Sequence, residues 1–179
     1  MNIYKTNFFY SLTKNIVSKE NSFVVIVLLF LYPLLINIII LTSLYTFLYF
    51  FDKIPSSGNA KLLTFKAADY YAKIEIIFTS VVLTPLIETL IFFMIIIEFT
   101  RKLTISKVWI VHTIGILFSL AHIFTHNFII QHYVTGVIWA WAWILWEEDK
   151  NRRLHPFFLI FWPHLLNNGF IYLFTFCFL

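Results

Sequence analysis

From Ser22 to Phe51 the chain runs for about thirty residues without a charge, more than the roughly 20 a helix needs to cross a bilayer. Four further apolar stretches follow: about Ile74–Phe99, Val108–Phe124, Phe128–Trp146, and Pro156 to the C-terminus. Pro156 is well placed to open the last one, because proline suits the first turn of a helix. The pattern predicts an all-α, polytopic membrane protein with about five transmembrane helices. The length of the first stretch, and the lack of a small-residue cleavage site after it, argue against a signal peptide; Pro33 and Asn37 mark an expected kink. Ahead of it, Phe8, Phe9, Leu12, Ile16 and Val17 recur at helical spacing among Lys5, Lys14 and Lys19, the pattern of a helix lying on a membrane surface. Between the first two stretches, Pro55-Ser56-Ser57-Gly58-Asn59 reads as a loop, followed by an approach with Asp69 four residues before Lys73. The chain divides into an N-terminal part, residues 1–73, and a core, residues 74–179.

Composition sharpens the class. Hydrophobic residues make up 60% and charged residues 12%, against about a quarter charged in soluble domains. Mean hydropathy is +0.84. With 22 Phe, 9 Tyr and 6 Trp, the chain carries more aromatic surface than a soluble core of this size can bury, so the lipid bilayer is the expected partner. A net charge of +4 is too modest to suggest nucleic acid, and the lone Cys177 excludes an internal disulfide. The basic residues report topology instead. Lys5, Lys14, Lys19, Arg101, Lys102, Lys107, Lys150, Arg152 and Arg153 fall on one side of the five-span arrangement, and Lys53, Lys61, Lys66 and Lys73 on the other. The positive-inside rule then places the N-terminus in the cytoplasm and the C-terminus outside. Trp139, Trp141, Trp143 and Trp146, beside Glu147-Glu148-Asp149, read as an interfacial aromatic belt.

Against this background a few polar residues stand out. Glu88 falls near mid-bilayer, where an ionised carboxylate costs at least about 2.5–3.5 kcal/mol, so function is the default reading. Pro85, three residues earlier, removes a backbone donor and frees the carbonyl of Val81, opening the helix next to the acid. Glu75 and Glu98 lie near span ends, and Glu98 has Arg101 and Lys102 as helical neighbours. In the third stretch Phe118 and His122 are four apart and share a face. In the last, His164 and Asn168 are four apart behind Pro163. They read either as interhelical glue worth about 0.6–2 kcal/mol each or as two groups aimed at one polar ligand. Counted at about 1.5 Å per residue, Glu88, His164 and His122 lie roughly 16, 12 and 21 Å from the cytoplasmic ends of their spans.

Pro85-Leu-Ile-Glu88, Phe118-x-x-x-His122 and His164-x-x-x-Asn168, in this order on three membrane helices, resemble the CPBP family of intramembrane endopeptidases. That family includes the type II CAAX prenyl endopeptidases and bacterial relatives linked to bacteriocin self-immunity (ABI). The likeness covers roughly the second half of the chain. It departs in the first motif, a Glu-Glu-x-x-x-Arg pattern, where Thr89 and Phe93 stand in place of the second glutamate and the arginine. The resemblance implies a hydrolase acting on a membrane-embedded or membrane-tethered protein or peptide. Glu88 and His122 would activate water, and His164 and Asn168 would hold the oxyanion, with no cofactor required. Two other classes stay open. A divalent-metal site or transporter would use Glu88, His122 and His126, the histidines being four apart. Zinc, however, lacks its His-Glu-x-x-His signature here, although the family is often labelled metalloprotease. A non-catalytic immunity or adaptor protein of the same fold is the other. His112, His132 and His155 match no motif and read as structural or interfacial.

Overall fold

The structure is a computed structural model and describes residues 8–19, 21–50, 70–103, 105–122, 129–149 and 151–178. The Pro55–Asn59 loop, Asp69 and His126 lie outside the described residues. Among the described residues there are six helices and no strand: α1 (Phe8–Val17), α2 (Ser22–Phe50), α3 (Tyr70–Lys102), α4 (Lys107–Ala121), α5 (Ile129–Glu148) and α6 (Pro156–Phe178). Two are long and apolar enough to cross a membrane, α2 over Ser22–Ile40 and α3 over its whole length. By contrast, α4 has 15 residues and rises only about 22 Å, less than the roughly 30 Å of a hydrocarbon core.

α5 is the centre of the molecule. Every residue from Val134 to Ile144 is buried, as expected of a helix that is apolar on all sides. Its tryptophans are core residues rather than a belt: Trp139, Trp141, Trp143 and Trp146 are all 1–2% exposed. Three of them satisfy their indole N–H inside the protein, Trp139 on Leu29 O, Trp143 on Glu147 Oε2 and Trp146 on Leu154 O. The sequence pattern misplaced them because Glu147-Glu148-Asp149 suggests an interface. Those acids are instead spent on neighbouring helices. Arg101 at the end of α3 reaches Glu147 at 2.5 Å, Lys107 at the start of α4 pairs with Glu148, and Arg152 pairs with Asp149 at 2.8 Å. Arg152 also donates to Val17 O and Lys19 O and covers Trp146. These bonds tie α1, α3, α4 and α5 together at one pole.

α1 forms over the expected apolar residues, but it packs on α5 rather than standing apart. Thr13, Ile16 and Val17 are buried, and Tyr10 meets Trp141 edge to face. α2 lies against α5 and α6, where Asn37 donates to Thr135 Oγ1 at 3.2 Å and Phe30 meets Phe170. Asn37 is thus an interhelical contact. α4 and α5 approach closely at Gly115 and Gly136. A Cβ on Gly136 would stand 3.1 Å from Gly115 Cα, and one on Gly115 would stand 2.7 Å from Val137 Cγ2.

Candidate active site

The site is built on α3, whose winding changes around Glu88. Residues Phe78–Leu83 and Thr89–Ile95 form wide π-type turns on either side of the α-helical turn Thr84–Glu88. The Thr84 N–H bonds Thr79 O, and the Ile96 N–H bonds Ile91 O, each five residues back rather than four. Such insertions are frequent at functional sites. Pro85, next after Thr84, has no N–H to give, so the carbonyls of Ser80 and Val81 are together one helical donor short.

Glu88 stands between two imidazoles from two other helices. Its Oε1 is 3.4 Å from His122 Nε2, and its Oε2 is 3.2 Å from His164 Nε2. His122 follows the last residue of α4, where its N–H bonds Ser119 O and tightens the turn. Its Nδ1 lies 2.7 Å from Phe118 O, one of the last carbonyls of α4 and therefore without a helical partner of its own. This explains the Phe-x-x-x-His spacing: a histidine four residues on reaches that carbonyl. An Nδ1–H donated to Phe118 O leaves Nε2 as the nitrogen that faces Glu88.

Aromatic rings enclose the trio. Phe118 meets His122 at 4.8 Å, His164 at 5.7 Å, and Phe92, Phe93 and Trp139 at 5.6–6.0 Å between centroids. His164 also lies 4.8 Å from Trp139 and is 2% exposed. Three buried polar atoms here have no aligned hydrogen bond: Glu88 Oε2, Thr89 Oγ1 and His164 Nδ1. The Glu88–His164 approach is thus a close polar contact rather than a well-directed hydrogen bond. Unsatisfied buried groups of this kind are few in native proteins, and a functional role is one of the standard reasons for them. Thr89 and Phe93 are fully buried, Phe93 against Phe118 and Trp139, so the two departures from the family motif sit in an apolar interior.

Asn168 does not join the trio. Its Nδ2 donates to Ser80 O at 2.9 Å, and Tyr172 donates to Ser80 Oγ at 2.7 Å. Of the three described histidines outside the motifs, His112 bonds Tyr133 between α4 and α5 at 2.6 Å. His155 accepts the Phe157 N–H at the start of α6. Both are structural. His132 is different: its ring stacks on His122 at 4.1 Å and 12° and also meets Phe118. Its position at the start of α5, ten residues after His122, was the available signal, but only the α4–α5 hairpin brings the rings together. For a metal, the alternative set needs His126, outside the described residues. Among the described residues no group of three or more His, Cys, Asp or Glu side chains has metal-holding geometry. No family model, curated protein or solved structure matches this chain.

Proposed function

We propose that this protein is an intramembrane endopeptidase of the CPBP kind. The observation that carries the reading is Glu88, whose two oxygens each face an imidazole from a different helix within 3.4 Å, inside an aromatic shell. In the proposed reaction, the Glu88 carboxylate takes a proton from water as the water oxygen attacks a peptide carbonyl carbon. His122, anchored through Phe118 O, shares that proton through Nε2 and stabilises the carboxyl in either state. His164 presents Nε2 beside the carboxylate, where a tetrahedral oxyanion formed next to Glu88 would accept a hydrogen bond. The proton then passes to the leaving amine as the C–N bond breaks.

Membrane residence supports the reading. Large apolar side chains are exposed on successive helices, among them Ile39, Ile87, Ile95, Ile116, Phe158 and Ile171, far more than a soluble monomer displays. We place five spans in the bilayer, with the N-terminus cytoplasmic and the substrate a membrane-embedded or membrane-tethered peptide. A non-catalytic adaptor of the same fold is the second reading, favoured by the buried Thr89 and Phe93.

The test is cleavage of a membrane-tethered peptide by purified protein in liposomes, with and without a chelator. Glu88→Gln keeps the shape and loses the base, so the rate should fall about 10²–10⁴-fold. His122→Ala should be comparably severe. Cleavage by Glu88→Gln at the parent rate would leave the adaptor. Loss on chelation together with loss in His126→Ala would favour a metal.

A further inference from the structure

The resemblance gives Asn168 an oxyanion role, but its contacts point elsewhere. The Thr84 N–H bonds Thr79 O. A donor at residue 85 would reach Ser80 O if that five-back series ran on, or Val81 O in four-back winding. Pro85 has no N–H to give. Asn168 Nδ2 reaches Ser80 O at 2.9 Å, while Tyr172, four residues on and on the same face of α6, donates to the Ser80 hydroxyl at 2.7 Å. His164, four residues before Asn168, meets Glu88. One face of α6 therefore runs along α3 from Glu88 to Ser80, eight residues on each antiparallel helix, and grips it at both ends.

We infer that Asn168 is a positioning residue: it holds the wide turn of α3 by taking one of the two carbonyls that Pro85 leaves a donor short, and thereby sets where Glu88 stands. The reason is angular. A π-type turn holds one residue more than an α-turn, and each residue of an α-helix turns the chain by about 100°. If Ser80 O were released, the turn would regain stability by reverting to α-type winding. Glu88, beyond the wide turn, would then rotate by about that angle and leave one or both imidazoles. The inference rests on the proposed function only in naming Glu88 as the base, and its test involves no turnover.

Full-length protein in detergent is compared as parent, Asn168→Leu, Pro85→Ala and the double variant. Leucine keeps the branching and heavy-atom count of the asparagine side chain and removes the donor, whereas Pro85→Ala restores a backbone N–H within α3. Thermal unfolding is read together with the infrared carboxyl band of Glu88, assigned by its loss in Glu88→Gln. Asn168→Leu should lower the unfolding midpoint by roughly 2–10 °C and move the Glu88 band. On the Pro85→Ala background the same substitution should change neither further. An equal midpoint loss on both backgrounds, or an unmoved band in Asn168→Leu, would overturn the inference. If Asn168→Leu fails to accumulate, recovery in the double variant supports the inference and failure to recover overturns it. An inactive or non-proteolytic protein would still give these readings, so the two ideas fail separately.

Discussion

At the scale of single residues, Phe118 does more than its place in a motif suggests. Its carbonyl fixes the His122 ring, and its own ring touches three histidines and three other aromatic residues. Phe118→Ala should therefore destabilise by about 3–5 kcal/mol and leave the imidazoles unsupported; Phe118→Leu should recover much of the stability without the ring contacts. Detergent unfolding of both variants checks this, and equal stability of parent and Phe118→Ala would exclude the hub role. Thr89 gives the opposite expectation. Its hydroxyl is buried without a hydrogen bond, so Thr89→Val should be neutral or stabilising by about 1 kcal/mol. Thr89→Glu, which introduces the second glutamate of the motif that the chain resembles, should unfold more readily, because Phe93 offers no counter-charge. A Thr89→Glu protein as stable as the parent would show that the site tolerates the charge that the chain lacks.

At the scale of helices, apolar runs and punctuation made most of the fold legible. Pro156 opens α6, the uncharged run from Ser22 becomes α2, and His122 and His164 meet Glu88 from separate helices. What could not be read was winding and partnership. A proline in a helix announces a missing donor, but whether the orphan lies four or five residues back depends on a neighbouring helix, here α6. The tryptophans of α5 carry no mark that distinguishes core from belt until α1 and α2 are seen covering them. Likewise Gly115 and Gly136 read as ordinary apolar-helix residues, although α4 and α5 come close together there. Gly115→Ala should cost about 1–3 kcal/mol, because its Cβ would stand 2.7 Å from Val137 Cγ2 and 3.1 Å from Tyr133 O. Adding Val137→Ala removes the nearer obstacle and should recover part of that loss. Additive losses in unfolding experiments would mean that the helices do not meet there.

For the whole molecule, the charged pole and the site lie at different heights, and this bears on orientation. Arg101, Lys107 and Arg152 are joined to Glu147, Glu148, Asp149 and the end of α1 at one pole. Arg101, Lys107 and Arg152, three of the basic residues that the positive-inside rule counts, thus share one pole. His122, by contrast, sits at the far end of α4, about 22 Å of helix from Lys107, and Tyr172 and Ser80 extend polar groups from Glu88 in that same direction. In the proposed five-span arrangement, α6 begins at the cytoplasmic pole and carries residue 178 to the opposite side. A phosphatase reporter, active only outside the cytoplasm, should therefore be active when fused after Leu179 and silent when inserted between Arg153 and Leu154. A reporter active only in the cytoplasm should give the reverse pattern at the same two positions. If the fusion after Leu179 reports the cytoplasm, α6 does not cross the bilayer, and the five-span arrangement must be abandoned whatever the site proves to do.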